Sequence, residues 1–150
     1  MDMIKGIHKQ RLALIIAAAV GIISVFLPWA TVNAGFLGRI SVNAFEGWDG
    51  WAIILMLAGA LSIAFVGDRN ESIDFSVPRS KWGLVATGAL CAIIALINLI
   101  DVVSTPSIMG VSASPGIGVF LAIIAGAGVA VIPFLNPEMF NKMGGNNSSE

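Results

Sequence analysis

Asn98 and Asp101 form the most polar pair in any long apolar stretch of this chain, Trp82 to Val103. Three residues apart, they share one face of a helix. From a helix middle near Ala92, at about 1.5 Å per residue, Asn98 lies about 9 Å and Asp101 about 13 Å towards one end. An ionisable group within a membrane is by default a functional candidate, so the pair is a candidate polar intramembrane site from which an ion or proton path would start. The plainer reading sets Asp101 among the headgroups and lets Asn98 bond a neighbouring helix. A pump would place carboxylates deeper, and none lies deeper here.

Few other groups are equipped for chemistry. The chain has one histidine, His8, no tyrosine, and one cysteine, Cys91, inside an apolar run. That removes most acid, base and metal-ligand sets and any disulfide within one chain. Gly116-Ile117-Gly118 lacks the strand, third glycine and lysine of a phosphate-binding loop. No catalytic role and no cofactor are expected. Eight Lys or Arg against nine Asp or Glu leave no basic surface for nucleic acid.

Small residues recur every four positions at Ala13, Ala17 and Gly21, at Gly88 and Ala92, and at Gly118, Ala122, Gly126 and Ala130. Such spacing puts them on one helix face and lets backbones approach closely. The last and longest stripe packs either within the chain or against a second subunit or partner membrane protein. Arg39, Glu46 and Asp49 are the only charges between Ala30 and Gly50. They make either an exposed salt bridge of small value or a docking surface. Phe36 and Met109 fall at loop tips, where an apolar side chain dips into lipid or meets a partner.

The elements that position these residues follow from composition. At 57% hydrophobic and 11% charged, against roughly a quarter charged in a soluble domain, the chain is an all-α membrane protein. Four apolar stretches, 12–29, 51–66, 82–103 and 117–135, are long enough or nearly so to cross about 30 Å of hydrocarbon. The second is shortest and borrows a turn from Asp49-Gly50 or Gly67, tilts little, or thins the bilayer locally. Together they form one domain over 1–135, with 136–150 a largely disordered cytoplasmic tail. Trp29, Trp48, Trp51 and Trp82 fall at the expected helix ends, where indoles favour the headgroup zone. Pro28 and Pro133 fit helix termination or a late kink.

Lys5, Lys9, Arg11, Arg69, Arg79, Lys81 and Lys142 fall at one end of the helices and only Arg39 at the other. By the positive-inside rule both termini are cytoplasmic. Residues 1–34 also carry the marks of a cleaved secretory signal, although their apolar run is longer than the signal norm. On the outer side, Thr31 to Ala34 and Arg39 to Phe45 read as two strands about a glycine-bounded turn, a small extracellular β-hairpin. Ser107 to Ala113 adds further strand beside it. Both outer segments lead through a glycine pair (Gly47 and Gly50; Gly116 and Gly118) into a helix, which suggests a parallel duplication. The loop 67–81 is expected to be ordered against the bundle base.

The Phe26-Leu27-Pro28-Trp29 stretch, the strand-like outer loop and Gly47-Trp48-Asp49-Gly50 resemble a group of small prokaryotic four-helix membrane proteins. The layout is also similar in topology to claudin-like bundles, which implies an extracellular sheet drawn from both outer loops. The claudin first-loop tryptophan motif and cysteine pair are absent, since no outer cysteine follows Trp48 and Trp51. Topology transfers no activity. The reading is a non-enzymatic, multi-pass plasma-membrane protein acting as an interaction or assembly component. Its partners are membrane lipids and either its own copies or another membrane protein. The alternative is a small oligomeric channel or transporter using the Asn98 and Asp101 face.

Overall fold

The computed structural model of the 150-residue chain describes residues 8–66, 71, 73, 78–107, 110–135 and 137–142. In chain order these form α1 (Lys9–Phe26), β1 (Pro28–Ala34), β2 (Arg39–Asn43), α2 (Trp48–Phe65), α3 (Pro78–Ser104), β3 (Val111–Pro115), α4 (Ile117–Val131) and α5 (Pro137–Lys142). Four helices, Lys9–Phe26, Trp48–Phe65, Arg79–Ser104 and Ile117–Phe134, are long and apolar enough to cross a membrane. They close a ring in which α1 packs on α2 and α4, and α3 packs on the same two.

The first helix ends at Phe26, not at the expected 29. Pro28 disfavours helical geometry at the residue before it, and Leu27 is extended, with φ −82° and ψ 159°. The helix gains its length at the other end, where His8 Nδ1 accepts from the Gln10 N–H at 3.3 Å. The second helix begins at Trp48 and takes in the expected turn from Asp49-Gly50. Pro133 lies in a 3-10 turn, Ile132–Phe134, that finishes α4. Residues 137–142, expected in a disordered tail, form α5 and pack against α1. Residues 143–150 lie outside the described ones.

Leu14, Ala18 and Val25 of α1 meet Ile53, Leu57 and Ala60 of α2, Leu84, Cys91 and Ala95 of α3, and Val119, Ala122 and Val129 of α4 in one buried cluster. These positions repeat every three or four residues, the inward stripe of a helix. Ile16, Leu55, Ile97 and Ile124 lie outside it and are exposed, as side chains facing lipid would be. At the crossing of α3 and α4, Gly88 and Gly126 allow backbone to touch backbone. A Cβ on Gly126 would lie 2.7 Å from the Ala92 nitrogen and 2.8 Å from the Gly88 oxygen. The stripe Gly118, Ala122, Gly126 and Ala130 is thus used inside one chain: Ala122 is buried, and Ala130 backbone faces Gly88.

The strands form one antiparallel sheet in the order β2-β1-β3. Gly35 (φ 59°) and Gly38 (φ 94°) bound the β1–β2 turn, in a backbone region that a side chain disfavours. β2 and β3 flank β1, both antiparallel to it; β2 leads to α2 through a short turn and β3 leads to α4 through Gly116 alone. The β1–β2 register shifts between Pro28 and Ala30, so Trp29 has no opposite residue. Such a bulge re-aims a side chain. Trp29, expected in the headgroup zone, is instead buried, and its Nε1–H donates to the Ser24 carbonyl at 2.7 Å. A Cβ on Gly118 would lie 2.5 Å from the indole, so glycine there makes room for it. Trp29→Phe keeps an aromatic ring but leaves the buried Ser24 carbonyl with only the Leu27 N–H at 3.3 Å, and is expected to cost about 1 kcal/mol. Thermal unfolding in detergent measures it.

The other end of the ring carries a feature absent from the sequence reading. Arg11 is buried and donates from Nε to the Glu71 carbonyl at 2.7 Å, and from Nη1 to the carbonyls of Ala64 at 2.8 Å and Val66 at 2.7 Å. The last carbonyls of a helix lack intrahelical donors, and here a guanidinium from α1 supplies them for α2. Gln10 beside it is fully buried, and its Oε1 accepts from the Ile73 N–H at 3.3 Å. Glu71 and Ile73 of the connection between α2 and α3 are thereby tied to the bundle base. Lys81 Nζ lies 4.9 Å from the Phe134 ring centre, a cation–π contact between α3 and the end of α4.

Candidate functional site

A cleft of about 370 Å³ opens at the sheet end, between β2, the start of α2 and the last third of α3. Its walls are Trp29, Ala30, Val42, Asn43, Ala44, Glu46, Gly47, Asp49, Asn98 and Val102. The volume lies at the small end of the range for ligand pockets.

Local structure fixes its polar groups. The residues after β2, Ala44–Glu46, form a 3-10 turn, anchored by Phe45, whose ring stacks 5.2 Å from Phe26 and lies tilted 4.9 Å from Trp51. Gly50 lets α2 start against this turn, because a Cβ there would lie 2.8 Å from the Phe45 nitrogen. The turn places Glu46, and the first helical turn places Asp49, where a carboxylate also complements the helix dipole. From α3, Asn98 Nδ2 reaches Asp49 Oδ2 at 3.2 Å and the Ile94 carbonyl one turn back at 3.0 Å.

The carboxylate beside Asn98 is therefore Asp49, 49 residues away in sequence, and not Asp101. Asp101 is exposed and lies outside the lining, while its carbonyl accepts from Thr105 Oγ1 at 2.8 Å. Arg39 does not pair with Glu46 or Asp49. Its Nε donates to Asn33 Oδ1 on the neighbouring strand at 2.9 Å. Among the described residues no lysine or arginine lines the cleft, so its two carboxylates face no cation of the wall. Phe36 stands 97% exposed at the hairpin tip. Met109 lies outside the described residues.

The sheet above the cleft has two unlike faces. Opposite residues across an antiparallel pair share a face, and alternate residues switch. The register groups Ala30, Val42 and Pro115, then Val32, Ile40 and Ala113, then Ala34 and Val111 on one side. Thr31, Ser41 and Ser114, then Asn33, Arg39 and Ser112, fall on the other. Ala30 and Val42 line the cleft, so the apolar face is the one turned towards it. No residue of that face is buried, and Ile40 remains 60% exposed.

Towards the bundle centre, Ala95 and Cys91 follow Asn98 by about one and two turns, and both are buried in packed core. Cys91 Sγ lies 3.8 Å from Met56 Sδ there. Asn98 is the deepest α3 residue of the lining, so the cleft is a recess in the sheet end. Among the described residues no group of three or more His, Cys, Asp or Glu could hold a metal ion. No protein-family model matches the chain and no curated protein matches it.

Proposed function

We propose that this chain is a non-enzymatic, multi-pass plasma-membrane protein whose sheet end faces outward and binds another membrane or envelope protein. The observation that carries the reading is the sheet end itself. An apolar sheet face with Ile40, Val42 and Val111 exposed and a cleft with two carboxylates and, among the described residues, no lysine or arginine stand there over a packed core. An exposed apolar surface rimmed by polar groups is the usual mark of an interaction site. Orientation follows from charge: among the described residues Lys9, Arg11, Arg79, Lys81 and Lys142 lie at the opposite end and only Arg39 at this one, which supports cytoplasmic termini.

A channel or transporter is the second reading, and the reach of the cleft to Asn98 is what favours it. Buried Ala95 and Cys91 below Asn98 weigh against a path through one chain. The stripe on α4, spent on Gly88, Ala92 and Trp29, offers little surface for assembling a pore from several copies.

The test is photocrosslinking in the native membrane from a photoreactive residue at Phe36 and, separately, at Ile40. A discrete protein adduct at either site is the expected result. Capture of lipid alone at both would overturn the binding reading and direct attention to ion flux in Asn98 and Asp49 variants.

A further inference from the structure

We infer that the partner docks as an extended segment, pairing antiparallel with the free edge of β2 and placing a lysine or arginine in the cleft between Glu46 and Asp49. The inference rests on the outward binding face proposed above and names the chemistry of its occupant.

Three observations converge on it. The first is the edge. In the order β2-β1-β3, one side of β2 has no neighbouring strand among the described residues. Ala34 N–H donates to the Gly38 carbonyl at 2.9 Å, and alternation along the ladder makes Val32 with Ile40 and Ala30 with Val42 the bonded pairs. The amides and carbonyls of Arg39 and Ser41 therefore point away from β1. Natural edge strands are blunted by proline, lysine or a bulge. β2 carries no proline and no lysine, the bulge lies on β1, and its one charge, Arg39, is drawn onto its own sheet by Asn33.

The second observation is the apolar face, with Ile40 and Val42 exposed on the strand that carries the free edge. The third is charge. β2 runs directly into the cleft through Val42 and Asn43, and the wall offers Glu46 and Asp49 with no lysine or arginine among its described residues. A strand added to β2 continues that apolar face with every second side chain, the usual division between backbone affinity and side-chain selectivity in strand addition. Opposite Ile40, Val42 and Ala44, an antiparallel segment would present two apolar residues and then a basic one, all on the cleft side.

The probe is the dye-labelled peptide Lys-Thr-Val-Thr-Val, with Glu-Thr-Val-Thr-Val as its counterpart, added to the full chain in lipid nanodiscs and followed by fluorescence polarisation. The lysine peptide is expected to bind saturably, about fivefold or more tightly than the glutamate peptide. The double variant Glu46→Gln, Asp49→Asn is expected to erase that preference while leaving Asn98 a hydrogen-bond partner. Ser41→Pro, which removes an edge donor without cutting a β1–β2 bond, is expected to weaken both peptides. Absence of saturable binding, or equal affinity for both peptides, overturns the inference. If a discrete crosslinked partner persists at Ile40 under that result, the binding face stands with another chemistry; lipid-only crosslinks overturn both.

Discussion

Gly126→Leu and Gly88→Leu are each expected to lose about 3 kcal/mol or more of stability, enough to leave little folded protein in detergent. A Cβ on Gly88 would lie 2.5 Å from the Gly126 oxygen, and one on Gly126 would lie 2.7 Å from the Ala92 nitrogen. Both obstacles are backbone atoms, so no rotamer change relieves them, and α3 must part from α4 along the crossing. Helices in lipid associate through such close packing, because lipid is as apolar as the side chains themselves. Gly59 supplies the contrast. It is exposed on α2, and a Cβ there meets nothing within 4 Å. Gly59→Leu is expected to change stability by less than about 0.5 kcal/mol in either direction. Unfolding of the three variants in graded denaturing detergent ranks them, and similar losses at Gly59 and Gly126 would refute the packing account.

Arg11→Met is expected to cost about 3 kcal/mol. The substitution keeps an apolar stem of similar length but removes the donors to Ala64, Val66 and Glu71, three carbonyls that converge on one guanidinium. A single ammonium is a point charge without the planar fork that reaches them together, so Arg11→Lys is expected to fall between the two. Hydrogen exchange gives a local readout: the last turn of α2 should lose protection in both variants while the first turn of α2, at the sheet end, keeps it. Uniform loss across α2 would mean that Arg11 acts on the bundle as a whole and not as the cap of one helix.

Much of the fold was legible because lipid imposes a simple demand. Long uncharged runs read as helices, and of the ways left open to lengthen the short second run, the helix from Trp48 uses Asp49-Gly50. Alternation and glycines marked β1 and β2, and the third strand comes from the second loop, although it begins four residues later than Ser107. Trp29 was misplaced because a Trp after an apolar run reads as a headgroup anchor, whereas Pro28 had already ended the helix and a bulge turned the indole inward. The site was less legible. Asn98 meets Asp49 across 49 positions, and Arg11 meets its acceptors across 53 to 60. No spacing rule reaches so far, so Arg11 was counted only as a cation for orientation. The four-residue stripe on α4 carried its packing role in its pattern, but Gly88 and Ala92 as partners depend on which helices become neighbours.

Cysteine labelling reads whether the sheet and its cleft face outward from the helix bundle. The single native cysteine, Cys91, is buried, so a membrane-impermeant maleimide reports on introduced thiols alone. Ser41 on β2 and Lys142 on α5 are both exposed and lie at opposite ends of the helices. Ser41→Cys is expected to be labelled in intact cells and Lys142→Cys only after permeabilisation. The reverse pattern would put the sheet in the cytoplasm and contradict the outward binding face.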